Sequence, residues 1–457
     1  MLKFYNSLTQ KKEAFNPIED GKVKLYTCGP TVYDFSHIGN FRTFLFEDLL
    51  KRTLIAFGFD VYHIMNITDV DDKTIKKANY EKKSLEQITQ KYTAAFMEDI
   101  KLLRIQEADL YPNATEHIQK MIELISILID RDYAYLTDEG SVFFKIDNYS
   151  DYGNLVDISH FTYDERRQIS DEYDLDNVND FALWKSHKEE DGEICWNSPW
   201  GKGRPGWHIE CSAMSTQYLG NHFDIHCGGV DNKFPHHENE IAQSICALDE
   251  PFVNYWLHSE FLMVENQKMS KSLNNYFILS DLFDNDFTAE EFRFIVLSSH
   301  YRSKVNFSLK RKTEARSAIN RIEELQSRLL DITQERSTNM PEDAKSFNSC
   351  IGNDLDTPNA LATFFNWIRL TNQKIDEGKY SENDAAEANT FIGYFDSIFA
   401  ILSINSDIPE EIMSIVRLRE EYRKNKDWQK SDLLRDDLLA KGWLVKDTSD
   451  GSKLTKI

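Results

Sequence analysis

The sequence predicts an α/β protein built on a parallel sheet, followed by an all-helical region and a small C-terminal domain. Three observations carry this. A short apolar run, a helical stretch and a second apolar run follow one another between residues 23 and 67. Strand–helix–strand in that order makes a parallel pair with a right-handed crossover. The same alternation resumes between residues 223 and 256, after a long acidic stretch with little periodicity. Residues 313–403 are then rich in helix formers and hold no run that reads as a strand, which predicts a helical bundle. A chain of 457 residues is long enough for two to four domains with sizeable cores.

Residues 23–27 (VKLYT) read as a short buried strand that Cys28, Gly29 and Pro30 end. Residues 41–57 carry helical periodicity and stop at Gly58. Residues 60–67 read as the second strand. Ligands of such sheets bind at the carboxyl ends of the strands, here the loop from Cys28 to Asn40 and the run NITDVDD at 66–72. Helices are expected near 84–103 and 115–131, and 141–146 alternates like a strand. From there to 198 the chain reads as loops, an insertion that interrupts the parallel pattern. Residues 223–227 are strand-like and are closed by Gly228 and Gly229; 235–247 reads as a helix and 252–256 as a strand. In the tail, 407–409 looks like a linker. Helices are expected over 410–425 and 428–441, then a hairpin beyond Gly442.

The composition, 41% hydrophobic, is that of a globular protein. The first residues hold no apolar signal core, and no run approaches the length of a membrane span, so the expectation is a cytoplasmic protein without a membrane partner. Six cysteines, at 28, 195, 211, 227, 246 and 350, form no CxxC pair and are expected to be reduced. The net charge of −23 argues against a nucleic-acid partner if taken over the whole chain. It is uneven, however. Residues 147–193 hold 14 acidic and 4 basic side chains, whereas 302–312 hold 5 basic and none acidic. A local basic face is therefore compatible with the total.

Residues 206–240 crowd Trp207, His208, Cys211, His222, His226, Cys227, His236, His237 and Glu240 together, a density of soft and borderline ligands that suggests a metal. If HHENE is helical, His236 and Glu240 share a face, His237 falls over Ile241, and Glu238 points away. Cys211 is a third candidate ligand. Spacing does not choose a fourth between Cys28 and Cys227. Taken singly, each of these histidines would be an ordinary core or surface residue. Two further motifs suit a nucleotide. His37, Gly39 and Asn40 enter the first helix, where backbone N–H groups attract anions and a glycine admits close approach. Lys268 and Lys271, in KMSKS, can clamp a polyphosphate, although exposed Lys/Ser turns are also common.

The two motifs in this order resemble the class I aminoacyl-tRNA synthetases. The stretches YTCGPTVYDFSHIGNFRT, NITDVDDK, GWHIECSAMS, FDIHCGGVDNKFPHHENEIAQS and KMSKS resemble the cysteinyl-tRNA synthetase family, as do NDLDTPNALA and KSDLLRDDLLAKG. The resemblance spans nearly the whole chain. It implies a Rossmann-like catalytic domain in two halves (1–115 and 204–265) around a connective insertion (116–203). It further implies a KMSKS and stem-contact region (266–312), a helical bundle (313–408) and an anticodon-binding domain (409–457). It implies one zinc ion per subunit, held by Cys28, Cys211, His236 and Glu240, where a thiolate substrate is preferred to a hydroxyl by ligand softness. It places Thr68, Trp207 and His226 about the amino-acid pocket. ATP, with Mg2+, falls to His37, Gly39, Asn40, Asp231 and Lys271, and catalysis to His37, Lys268 and Lys271. The expected partners are L-cysteine, ATP and the tRNA for cysteine, and the expected working unit is a monomer. One departure stands out: the family's first motif usually ends in a second histidine, and here that position is Asn40. Three other readings share some of these features: a cysteine ligase acting on a small amine, a non-catalytic tRNA-binding paralogue, and a zinc-stabilised structural protein. The tail argues against the first and the intact KMSKS loop against the second.

Overall fold

A four-stranded parallel sheet organises the larger part of the molecule. Its elements, in chain order, are β1 (Lys22–Thr27), α1 (Ile38–Ala56), β2 (Asp60–Met65), α2 (Trp207–Leu219), β3 (Phe223–Gly229), α3 (Glu238–Leu248) and β4 (Val253–Ser259). The strand order is β4-β3-β1-β2, and every pairing is parallel. The computed structural model describes residues 1–156, 180–269, 273, 275–402, 410–441, 443–448 and 451–456. Two compact units are present, Met1–Leu402 and Ser403–Ile457.

β3 is buried along its whole length and β1 along most of it, as expected of central strands covered on both faces. The second strand ends at Met65, short of the expected 67. Ile67 and Thr68 leave it to bridge Asn113 and Thr31, which turns the chain into the site. α1 begins at Ile38, three residues earlier than its apolar periodicity indicates. α2 has no counterpart among the expected elements. Ten of its thirteen residues are buried, so it shows no apolar stripe against a polar face. The helix Asp72–Glu81 and the N-terminal hairpin Lys3–Asn6/Lys11–Ala14 are likewise additions to the expected order.

The stretch 147–198, expected as loops, contributes two strands, Phe181–Ser186 and Trp196–Ser198, to a five-stranded antiparallel sheet. The strand expected over 141–146 is present as Val142–Phe144, and Ala134–Leu136 and Gly201–Pro205 complete the sheet. Phe181–Ser186 is buried on both faces, which removes the period-two alternation that marks a half-buried strand. The helical region follows as Lys312–Ile332, Asp343–Ile351, Thr357–Asp376 and Glu382–Phe399. Its core is aromatic, with Phe364 stacked on Phe395 at a centroid distance of 3.8 Å.

In the C-terminal unit, Glu410–Lys424 and Trp428–Ala440 pack with the hairpin Trp443–Thr448/Gly451–Lys456 around Ile412, Val416, Leu438, Trp443 and Val445. Trp443 is therefore a core residue, while Trp428 is 56% exposed with the Arg423 guanidinium 5.6 Å from its ring. No helix among the described residues is long and apolar enough to cross a membrane.

A buried guanidinium joins the sheet to the helical region. Arg293 donates to Asp48 of α1 at 2.7 Å, to the Leu103 carbonyl at 2.7 Å and to the Phe399 carbonyl at 2.9 and 3.1 Å. Both charged side chains are fully buried. Removing Arg293 leaves the buried Leu103 and Phe399 carbonyls without this donor, while Asp48 keeps Arg52 at 2.8 Å. Arg293→Ala is predicted to destabilise the larger unit by about 2–4 kcal/mol, read as a lowered urea midpoint.

Candidate active site

The sheet order makes the site. The chain leaves β1 for β2 on one side and later returns to place β3 and β4 on the other. Between β1 and β3 the direction of winding reverses, and the crevice at their carboxyl ends is where open α/β sheets bind ligands. Cys28 lies at the end of β1, donating its backbone N–H to the Cys227 carbonyl of β3 at 3.4 Å. Asn66, just beyond β2, accepts from Gly29 N–H through Oδ1 at 3.0 Å and donates to the Thr68 hydroxyl at 3.1 Å. A methyl on Gly29 would sit 1.7 Å from the Asn66 carbonyl oxygen, so only glycine lets the two loops approach this closely.

Around that crevice lies a buried cluster of soft and borderline donors. One donor atom each from Cys28, His236, His237 and Glu240 lie within 4.8 Å of one another. Cys211, on α2, reaches the same place. Its thiol interacts with the Cys28 thiol and lies 3.7 Å from Asn66 Oδ1. His236 and Glu240 do face the same way, with Nε2 and Oε1 3.1 Å apart. Glu240 Oε2 is 2.9 Å from His226 Nε2, whereas buried Oε1 has no hydrogen bond. His237 Nε2 contacts Cys28 Sγ at 3.3 Å, and its Nδ1 contacts His258 Nε2 at 2.8 Å. His236 Nδ1 is 2.9 Å from His208 Nδ1, and Trp207 stacks on the His236 ring at 4.2 Å.

Burial sets the protonation states. It pushes the His236 imidazole down to about 3 and His237 well below the usual range, so both are neutral and have lone pairs to offer. Burial, with the neighbouring Cys211, raises the Cys28 thiol. A bound divalent cation reverses that balance and takes thiolate ligands. A thiol, two neutral imidazoles and an uncapped carboxylate oxygen in one dry cluster, with the Cys211 thiol beside Cys28, are donors that suit a borderline-soft ion.

Three of the nucleotide candidates, His37, Gly39 and Asn40, stand at the start of α1. His37 is its N-cap: His37 Nδ1 accepts from Asn40 N–H at 3.1 Å, and Asn40 Oδ1 accepts from His37 N–H at 3.0 Å. Ile38 N–H donates to the Phe277 carbonyl at 2.9 Å, and Phe41 N–H to the His37 carbonyl at 3.3 Å. Several of the N–H groups expected to meet a phosphate thus already have protein acceptors. The segment beyond the lysine motif is pinned here: His37 bridges Ile278 and meets the Tyr276 ring edge-on at 5.2 Å. Met269 lies over Gly39, its methyl 2.7 Å from where a Cβ would be. Asp231 is exposed just past β3, with its carboxylate folded over Gly229. Lys268 is exposed, its amine 5.4 Å from the Phe261 ring. Lys271 lies outside the described residues.

Thr68 is buried beside Asn66, and Trp207 is half-buried over His236. His226 is fully buried, stacked on Trp256 at 4.7 Å and aimed at Glu240, so it orients a donor and presents no open face. His237 and His258 join the cluster in a way that spacing does not show; helical periodicity sets His237 over Ile241, but it also turns inward toward β1. In the run 302–312, Arg302 is held by Asp354 at 2.8 Å and Lys312 by Asp286 at 2.8 Å.

A switch-point sheet with a histidine-capped helix and a lysine-motif segment folded onto it defines a class I tRNA synthetase. The family model for the tRNA synthetases class I (C) catalytic domain matches residues 14–317, and that for the cysteinyl-tRNA ligase anticodon binding domain matches 405–453. Among solved structures, the fold is similar to Mycobacterium tuberculosis methionyl-tRNA synthetase, at a TM-score of 0.60 and 14% identity over 83% of this chain and 90% of that one. It is also similar to a leucyl-tRNA synthetase of Agrobacterium radiobacter K84, at a TM-score of 0.59 and 12% identity over 86% of each. The cysteine–tRNA ligase of Chlamydia pneumoniae is 45% identical across 99% of this chain and 98% of its own length. That of Brachyspira hyodysenteriae is 44% identical across 98% of both. The chain belongs to the cysteine–tRNA ligase family, and its activity is the attachment of cysteine to tRNA.

Gly29→Ala is predicted to force the β1 and β2 loops apart. Cysteine-dependent pyrophosphate exchange should fall by about 100-fold, in the range a 1 Å misplacement costs, while the urea midpoint of the C-terminal unit stays unchanged.

Proposed function

We propose that this enzyme activates L-cysteine as cysteinyl-adenylate and that a zinc ion marks the substrate by its sulfur. The observation that carries the reading is the buried cluster of Cys28, His236, His237 and Glu240 at the switch point, with the Cys211 thiol beside Cys28 and Glu240 Oε1 unbonded. Cys28, Cys211, His236 and Glu240 would hold the ion. When bound, zinc supplies a soft Lewis acid that favours a thiolate over a hydroxyl. A purely apolar pocket discriminates poorly between such near-isosteres, so a sulfur-selective site removes the need for a separate editing domain. Trp207 and Thr68 wall the amino-acid side of the crevice, and His226 holds Glu240 in place.

In the first step the cysteine carboxylate attacks the α-phosphate of Mg-ATP, forming the mixed anhydride and releasing pyrophosphate. No protein nucleophile is required; the barrier falls by positioning and by charge stabilisation. His37, with Gly39 and Asn40 beside it, attends the phosphates at the helix N-terminus. Lys268 and Lys271 neutralise the departing pyrophosphate, and Asp231 borders the nucleotide. In the second step the terminal ribose hydroxyl of tRNA attacks the anhydride carbonyl and releases AMP. The C-terminal unit reads the anticodon, supported by the domain match over 405–453. The reading is completed by a monomeric enzyme acting in the cytoplasm, where its tRNA is found.

Metal content and cysteine-dependent pyrophosphate exchange, measured on the same preparation, test the reading together. One equivalent of zinc with exchange that chelation abolishes and zinc restores is the expected result; full exchange in metal-free protein overturns the metal's role. Five side chains compete for four positions, and two variants separate them. Cys211→Ala is predicted to lose the metal and cysteine-over-serine selectivity, whereas His237→Ala keeps about one equivalent of zinc with affinity weakened ~10–100-fold, as for a group hydrogen-bonded to a ligand. Lys271→Ala is predicted to slow exchange by about 100-fold or more, as for loss of a group that acts in the transition state, with the KM for cysteine unchanged.

A further inference from the structure

The sequence from Lys73 to Lys91 holds six lysines and two glutamates, in a chain whose net charge is −23. Most of this basic run lies on the helix Asp72–Glu81 and its exit, directly after the Asn66–Thr68 segment that borders the crevice. Lys73, Lys77 and Tyr80 recur at i, i+4 and i+7, so they line one stripe of that helix. Tyr80 is 85% exposed, an unusual position for an aromatic ring with no ligand.

The stripe continues onto the loop that leads to His37. Lys73 lies 5.6 Å from the Tyr33 ring, Lys77 5.8 Å from the Tyr92 ring, and Lys91 5.5 Å from the Phe35 ring and 4.6 Å from that of Tyr92. Phe35 is 40% exposed and meets Tyr92 edge-on at 5.2 Å. Two acidic groups face this patch: Glu81, 3.3 Å from the Lys77 amine, and Asp34, which acts on the same lysine. Three lysines around the exposed Phe35, the half-buried Tyr33 and the buried Tyr92, against two carboxylates, leave a local positive excess at the rim of the site.

Aromatic faces interleaved with amines suit unpaired nucleotides, because every base can stack while the amines meet phosphates. A duplex presents its bases stacked inward and gives exposed rings nothing to cover. Position narrows the occupant further. Phe35 stands two residues before the N-cap of α1, and the lysine helix begins at Asp72, four residues after Thr68. The strand that must reach this rim is the one whose terminal ribose is acylated. We infer that Tyr33, Phe35 and Tyr80, with Lys73, Lys77 and Lys91, form a binding surface for the single-stranded 3′ end of tRNA. This rests on the enzyme's acylation of tRNA. The basic run 302–312 is less suited to the task, since Arg302 and Lys312 are held in ion pairs and its one ring, Phe307, is buried.

The test uses the full-length enzyme and two variants, Phe35→Ala and the triple Lys73→Ala/Lys77→Ala/Lys91→Ala. Three quantities are read: cysteine-dependent pyrophosphate exchange, the KM for tRNA in aminoacylation, and binding of intact tRNA or tRNA trimmed of its 3′-terminal nucleotides across a salt series. Each variant is expected to raise the tRNA KM about tenfold, in the range for loss of a stacked base or its phosphate partners, with exchange within about twofold of the unaltered enzyme. The triple variant should flatten the slope of log affinity against log salt by about 2, at roughly 0.7 for each single-strand phosphate that is no longer neutralised. Trimmed tRNA should bind all three proteins alike. An unchanged KM, a fall in exchange matching the fall in aminoacylation, or an equal loss with trimmed tRNA would each overturn the assignment; the last would place the duplex stem on this surface. The binding arms need no adenylate, so absence of exchange in the unaltered enzyme counts against the activation chemistry and not against this surface.

Discussion

The pairing of β1 with β3 is the constraint on which the rest depends. Ile225 lies beside Leu25, His226 beside Tyr26 and Cys227 beside Thr27. Nothing local enforces this register; it closes a loop that includes β2, the four helices Ile38–Ala56, Asp72–Glu81, Leu85–Leu102 and Trp207–Leu219, and the whole insertion. Such closure is entropically unfavourable and kinetically slow, and it is offset only by burying both faces of the central strands. Its product is a crevice in which the end of one strand and the helices after another stand side by side. Cys28 meets Cys211 and His237 for no other reason.

Once that crevice exists, its chemistry follows from dryness. Imidazoles at this depth cannot carry charge, so each becomes a donor on one nitrogen and an acceptor on the other, and they link in pairs: His236 with His208, His237 with His258. Each ring that faces the cluster is thereby oriented from behind, as ligands of a well-built site are. His226 does the same for Glu240, its own ring fixed on Trp256. The sulfur-bearing side of the cluster is held by the Asn66 side chain, which also fastens the β1 loop. The thiol side of the cluster and the loop architecture thus share one amide.

Much of this is legible in the sequence because it is written in local periods. The strand–helix–strand runs appear because short apolar stretches closed by Gly and Pro mark even the buried strands β1 and β3, and His236 and Glu240 can be paired from helical spacing alone. What is illegible is what is buried all round and is not such an apolar run. The helix carrying Cys211 and the strand Phe181–Ser186 have no polar face to set the period. Nor can spacing choose between Cys28 and Cys227, which end adjacent strands: Cys227 points into the apolar core with Leu25 and Ile225, whereas Cys28 turns into the cluster. That distinction is a matter of which face of the sheet each side chain occupies. The basic, aromatic rim does not show in the sequence because Tyr33 and Phe35 are far along the chain from Lys91 and meet it only through the fold.

The hydrogen bond from Ile38 to Phe277 and the methyl of Met269 over Gly39 have a thermodynamic meaning of their own. A protein carbonyl already occupies part of the positive end of α1, so under the proposed function an incoming phosphate enters as a competitor with a tethered internal ligand. Its observed affinity is the intrinsic one multiplied by the fraction of molecules in which that ligand has let go. Linkage makes the relation reciprocal: whatever draws the 275–278 segment away tightens nucleotide binding by the same factor. The cap of one helix is thereby a set point, and a substitution at position 277 or 269 would retune nucleotide affinity without touching a nucleotide.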